Sequence, residues 1–276
     1  NYAYGKYDFV AKQVHDKFDP QAPINESPNN TGKRELPPVS PAFIWYPYAR
    51  SDEFPMVKEG GRNAMAGPVY YSENFKGVST AFPEYFDGKL MIYDWIRGWM
   101  FLVSMNPEGA ITDIEPFMPN TKFNNIIDMA YGPDGKLYVT IGDANEPALA
   151  QDLGSLNGKL LRINADGSIP GDNPVPGSPV YAHGLRNSFD FTFHPHTGDL
   201  WATENSDDNN DEINRIVGGG NYGWPLYVGI ANDPPFRDPI LTFTPTIAPT
   251  AILTIPEGSA YPAQYHNNLL FADANT

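Results

Sequence analysis

The residues with the most chemistry in this 276-residue chain fall in one stretch, residues 179–225. Arg186 and Asn187 stand side by side at the entrance of a short apolar run, residues 189–193. A planar guanidinium fork next to an amide can grip the carboxylate and carbonyl oxygens of an anionic ligand through charge-assisted hydrogen bonds. The same arginine can instead close a loop by donating to backbone carbonyls. Residues 207–212 read Asp-Asp-Asn-Asn-Asp-Glu. Asp207, Asn209 and Asp211 have the alternate spacing of hard oxygen ligands that suits Ca2+, although the Gly and closing Glu of a helix–loop–helix calcium loop are missing. A solvated acidic turn is the other reading. His183 precedes Arg186 closely and is the histidine placed to serve as a base beside it. His194 and His196 flank Pro195, a spacing that either chelates a metal or caps a turn. His15 and His266 lie apart from these. Asp143 and Asp152 either bind a structural cation or cap turns.

These residues occupy the connections between short strands. Within the stretch the strands are residues 189–193, 200–204 and 213–217, separated by the turn His196-Thr197-Gly198 and the acidic loop, and closed by a Gly-rich turn on Trp224-Pro225. Upstream, residues 90–94 read as a buried strand and 99–105 as its hairpin partner. Residues 111–117 follow through the turn Asn106-Pro107-Glu108-Gly109. Residues 127–131, the turn Gly132-Pro133-Asp134-Gly135, residues 137–141 and residues 160–164 form another group. Further strands are expected at 43–46 and 69–71. Residues 1–40 read as an extended, Pro- and Asn-rich surface segment with at most short strands near 7–10; its Asn25 and Asn29 glycosylation patterns are short enough to arise by chance.

Short strands at even spacing, with functional residue types confined to their connections, predict an all-β fold: a β-propeller of four-stranded antiparallel blades over residues 41–276. At about 40 to 45 residues per blade there is room for roughly four to five. Pro83, Phe86, Leu90 and Asp94 recur in spacing as Pro262, Tyr265, Leu269 and Asp273. The C-terminal end therefore reads as the opening of a blade, incomplete or closed with a partner chain, whose exposed edges invite self-association.

Composition sets limits on partners. The formal net charge of −15, with 18 scattered Lys and Arg, argues against a nucleic-acid partner. The 28 Pro and 25 Gly punctuate strands supplied by 16 Tyr, 16 Phe and 5 Trp. With no Cys there are neither disulfides nor thiolate metal sites. The longest apolar stretch, residues 90–103, is broken by Asp94 and Arg97, so no membrane span is expected. An acidic, aromatic-rich chain beginning at Asn1 without a signal pattern suits a processed or truncated extracellular or periplasmic protein.

Four motifs stand in register: Gly184-Leu185-Arg186-Asn187-Ser188-Phe189; Thr197-Gly198 with Leu200-Trp201-Ala202-Thr203-Glu204-Asn205; Asp211-Glu212-Ile213-Asn214; and Asn221-Tyr222-Gly223-Trp224-Pro225. Together they resemble the pyrroloquinoline-quinone (PQQ)-dependent glucose/sorbosone, or aldose sugar, dehydrogenases. Residues 151–163, Gln-Asp-Leu through Leu-Arg-Ile, are similar to the same family. The resemblance implies a propeller that oxidises an aldose C1 hydroxyl to a lactone with PQQ and Ca2+. It implies that Arg186 and Asn187 contact the quinone. It also implies that the loop after Thr203-Glu204 holds the calcium, which places Asn205, Ser206, Asp207, Asn209 and Asp211 at the metal. Ser206-Asp207 replaces the family's Gly-Pro there. The family's catalytic histidine falls near Asn124, and an amide cannot take a proton, which leaves His183 as the candidate base. Residues 39–141 resemble, through Glu59-Gly60-Gly61-Arg62-Asn63-Ala64-Met65-Ala66-Gly67-Pro68, the blade that follows the Gly-Trp-Pro motif in larger members. Here that material precedes it, an order that fits duplication, permutation, a composite chain or a fragment. The alternative to an enzyme is a non-catalytic extracellular propeller acting as an assembly or binding module.

Overall fold

The computed structural model describes residues 7–8, 13–14, 19–40 and 42–275. The chain divides into two compact units, Asn1–Glu59 and Gly60–Thr276. In the first, β1 (Tyr7–Asp8) pairs antiparallel with β2 (Gln13–Val14), and a lone bridge joins Ile24 to Glu35. Residues 9, 10 and 15 lie outside the described residues. Residues 43–46, expected as a strand, take turn and irregular backbone instead, with Phe43 and Trp45 exposed. The following Pro47 has no N–H to give a ladder, and an unbroken apolar run has no polar alternation to set one face toward a core.

The second unit is built from antiparallel meanders. β3 (Ala64–Val69), β4 (Leu90–Asp94), β5 (Met100–Met105) and β6 (Ile111–Phe117) form one four-stranded sheet in chain order. β7 (Ile126–Tyr131), β8 (Leu137–Ile141), β9 (Lys159–Ile163) and β10 (Val180–His183) form the second. The third holds β11 (Phe191–Phe193), β12 (Leu200–Glu204), β13 (Asp211–Ile216) and β14 (Leu241–Phe243). β15 (Pro249–Thr254) and β16 (Leu269–Asp273) make a two-stranded sheet. The first strands of successive sheets neighbour one another, β3 beside β7, β7 beside β11 and β11 beside β15.

Strands rich in apolar residues and covered on both faces explain this packing. β8 and β9 are buried along their whole length, as strands covered on both faces must be. One core joins the first and second sheets through Met91, Leu102, Met129, Leu137 and Val139. Another joins the second and third through Tyr138, Leu160, Phe191 and Leu200. The recurring spacing noted above carries the same elements twice: a turn of 3-10 helix at Glu84–Phe86 leads into β4, and one at Ala263–Tyr265 leads into β16. One boundary moves. β13 begins at Asp211, so the acidic loop stops at Asn210, and Asp211 and Glu212 are buried strand residues.

Candidate functional site

Arg186 and Asn187 follow β10 on a turn set by Gly184. That glycine has φ +74°, and a Cβ there would run into the Asn221 amide and come within 2.8 Å of Gln151 Nε2 and 2.9 Å of the Gly223 nitrogen. The turn is then fixed from below by one side chain at the end of β12. Glu204 Oε1 accepts from the backbone N–H of Arg186 at 2.8 Å and of Asn187 at 2.5 Å. The Arg186 carbonyl accepts from the Asp143 N–H at 2.9 Å. Burial, the largest cause, pushes the Glu204 carboxyl up to about 8 against the lowering effect of those two N–H groups. Its Oε2 is buried with no partner among the described residues.

The Arg186 guanidinium points across the loop. Nη1 donates to the carbonyls of Asn205 at 2.8 Å and Ser206 at 3.2 Å, and Nη2 pairs with the Asp207 carboxylate. Its carbon lies 5.6 Å from the centre of the Trp224 ring, a cation–π contact. Trp224 is itself held by two groups. Its Nε1 donates to Asp143 Oδ2 at 3.0 Å, and its carbonyl accepts from Gln151 Nε2 at 2.6 Å. Gln151 and Asn221 exchange amide hydrogen bonds at 3.0 and 2.8 Å. Arg186, Glu204, Ser206, Tyr222 and Trp224 line one small cleft.

Several of the oxygens expected at calcium are taken up by protein partners. Asp211 Oδ1 accepts from the Ser206 N–H, and Oδ2 from those of Ile247 and Ala248, all between 2.7 and 2.8 Å, which uses up its carboxylate inside the sheet. Asp207 faces the arginine and Asn209 is exposed. The Asn205 and Ser206 carbonyls meet a guanidinium, which a cation would repel. Asn205 Oδ1 is buried without a partner, yet among the described residues no three His, Cys, Asp or Glu groups gather. Other candidates resolve as turn caps. His194 Nδ1 accepts from the His196 and Thr197 N–H groups, Asp143 Oδ1 from Asn145 and Asp152 Oδ1 from Gly154. His183 is joined through its backbone to Gly220 and Tyr222, and burial holds its imidazole below the usual value. It lines neither the Arg186 cleft nor the cavity beside it.

That cavity, about 500 Å3, sits where the first strands of the four sheets meet. Asn187 reaches it, joined by Asn63, Tyr93, Trp95, Asp128 and Asp190. Asp128 and Asp190 share a hydrogen bond. Asp190 Oδ1 accepts from its neighbour Phe191 N–H at 2.8 Å, and Oδ2 from Ile252 N–H of β15 at 2.7 Å. Burial first, then the charge of Asp190, lifts the Asp128 carboxyl well above the usual carboxylate range. Sequence reasoning passed over this pair. A carboxylate inside each of two apolar strand runs, Ile-Ile-Asp-Met-Ala-Tyr and Ser-Phe-Asp-Phe-Thr-Phe, was the available signal.

The family model described as Glucose / Sorbosone dehydrogenase matches residues 105–274, more than half of the chain and all of the Arg186 site. The chain belongs to the glucose/sorbosone dehydrogenase family. Within it, the chain is similar to the quinoprotein glucose dehydrogenase B of Acinetobacter calcoaceticus, at 34% identity over 187 residues, which is 60% of this chain and 38% of that protein. It is also similar to an aldose sugar dehydrogenase of Escherichia coli, at 34% identity over 116 residues, 40% of this chain and 31% of the relative. Among solved structures, the PQQ-bound aldose sugar dehydrogenase of Streptomyces coelicolor superposes with a TM-score of 0.53 at 29% identity, over 66% of this chain and 60% of that one. The chain thus spans 38% and 31% of the two curated relatives. Asn63, Tyr93 and Trp95, on the first sheet's side of the cavity, lie outside the glucose/sorbosone dehydrogenase match.

Proposed function

We propose that the chain forms the quinone-binding part of a β-propeller sugar dehydrogenase acting outside the cytoplasm. The observation behind this reading is the Arg186-Asn187 turn, locked by Glu204, roofed by Trp224 and opening beside a cavity. These residues fit a planar polyanion. The Asp207 carboxylate on the Arg186 fork is exposed, so a ligand carboxylate can take its place, and the Asn187 side-chain amide lines the cavity. Trp224 supplies a flat face. A bound PQQ would accept the hydride equivalent from an aldose C1. The calcium that accompanies the cofactor in the resemblance finds no ready ligand set here, and no step is assigned to it.

The substrate hydroxyl proton needs an acceptor. The titratable groups lining the cavity are Tyr93, Asp128 and Asp190. Tyr93, raised by burial and with its hydroxyl donating to the Ile127 carbonyl at 2.8 Å, stays protonated. The Asp128–Asp190 pair is therefore the acceptor. A base whose conjugate acid lies above the usual carboxylate range holds the proton it receives. Supplying PQQ, Ca2+ and a panel of aldoses in a dye-reduction assay should give turnover, lowered about 10²- to 10⁴-fold in Asp128→Asn. No turnover with any aldose, together with no quinone binding, would leave a non-catalytic module.

A further inference from the structure

Lys159 opens β9 and is completely shut away from water. Among the described residues no carboxylate pairs with it; Nζ donates instead to three backbone carbonyls, those of Leu149 at 2.7 Å, Ala150 at 3.0 Å and Asn157 at 2.7 Å. A buried ammonium persists only where charge-assisted bonds of this kind offset its lost hydration. Burial pushes it down to about 8, and the charge of Asp152 offsets only part of that, so the side chain is still a cation at neutral pH.

The carbonyls it gathers belong to the segments that hold Trp224. Ala150 closes the 3-10 turn Pro147–Ala150, and the next residue, Gln151, donates to the Trp224 carbonyl at 2.6 Å and exchanges amide bonds with Asn221. Asn157 reaches the other support. Its side-chain amide donates to the Gly142 carbonyl at 2.9 Å, one residue before Asp143, whose Oδ2 accepts from Trp224 Nε1. The Arg186 turn rests on the same segments: the Ala150 carbonyl accepts from the Gly184 N–H at 3.0 Å, and the Gly158 carbonyl from the Leu185 N–H at 3.2 Å.

We infer that Lys159 is a positioning residue for the Arg186 site: its ammonium ties together the two segments that set the Trp224 ring against the Arg186 guanidinium. It lines neither the cleft nor the cavity, so it acts only through Gln151 and Asn157. The inference rests on the dehydrogenase reading for the word quinone alone, and its first test needs no ligand. A lysine that merely fills the core would hold the fold without governing Trp224.

Acrylamide quenching of Trp224 fluorescence, taken as the difference between each chain and the same chain carrying Trp224→Phe, reads the ring directly. Lys159→Met keeps the stem and removes the charge. It should raise the Trp224 quenching constant and leave that of the other tryptophans where it was, while Lys159→Gln, which still offers a donor, should raise it less. Gln151→Ala should raise it too, and the double variant with Lys159→Met should match Lys159→Met alone, because both substitutions act along one line. PQQ affinity should fall about tenfold in Lys159→Met. A Trp224 quenching constant unchanged in Lys159→Met, an equal rise at every tryptophan, additive effects in the double variant, or loss of folding in both lysine variants would overturn the inference. No PQQ binding to the wild type, with Trp224 responding as described, upholds the positioning and sinks the quinone reading. Equal PQQ affinity in wild type and Lys159→Met sinks the positioning alone.

Discussion

At the scale of single residues, Glu204 and Asp207 act on Arg186 from opposite directions. Glu204 organises the turn: one oxygen satisfies two part-buried backbone N–H groups. Removing it in Glu204→Ala leaves both unpaired and should cost about 2–4 kcal/mol, read by urea denaturation. Glu204→Gln keeps an acceptor oxygen and resembles the protonated acid that dominates at neutral pH, so its cost should stay below about 1 kcal/mol. Equal losses in the two variants would show that the N–H groups are not what the side chain serves. Asp207, by contrast, competes for the guanidinium from the solvent side. Asp207→Asn should tighten binding of an anionic quinone several-fold, and weaker binding would mean that the carboxylate takes part in the ligand site. Arg186 and Asn187 were legible as a pair, because few residue types present a charged fork and an amide together at a strand entrance. Asp128 and Asp190 were not, because each sits alone in an apolar run and acquires meaning only when two sheets bring them together.

At the scale of elements, the turns explain which strands could be read. Strands bounded by Pro-Asp-Gly or Asn-Pro-Glu-Gly turns, such as β5, β6 and β8, lie where their hydrophobic runs and punctuation place them. β10, β14 and β15 escape such reading. β10 has four residues, β14 is largely exposed, and β15 begins on a proline, so their strand character comes from backbone pairing with neighbours. β13 starts earlier than its apolar residues suggest, since Asp211 is drawn into the sheet by the N–H groups of Ser206, Ile247 and Ala248. The calcium spacing in the sequence was therefore spacing along a loop that becomes a strand midway. Gly184 joins these elements to the site. Gly184→Ala forces an L residue into positive φ and drives a methyl group at the Gln151–Asn221 pair that holds Trp224. It should lower both the unfolding midpoint and quinone affinity. Unchanged quinone affinity would mean that the Trp224 roof does not depend on this turn.

At the scale of the whole molecule, the buried acids link stability to pH. Burial pushes Glu204 up to about 8 and Glu212 up to about 7, from an ordinary 4.5. The folded chain therefore holds protons that the unfolded chain releases. The contribution of these groups is fully present below the unfolded value and is lost as pH rises through about 7 and 8. Lys159, pushed down to about 8 by burial, works in the opposite direction only above that pH, while His183, held low by burial, offsets part of the fall at the acid end. The urea midpoint should accordingly fall between about pH 5 and about pH 8, and Glu204→Gln should flatten the slope. A midpoint that rises over that interval would contradict the burial of these carboxyls. The same arrangement puts a cationic turn and a carboxyl-lined cavity side by side in a chain whose net charge is −15. The most direct test is an equilibrium titration of PQQ into the wild-type protein and into Arg186→Met, which keeps the side-chain stem and removes the fork. Saturable binding is expected in the first and a loss of about tenfold or more in the second; equal affinity in both, or no binding to either, would rule out Arg186 as the anchor of the cofactor.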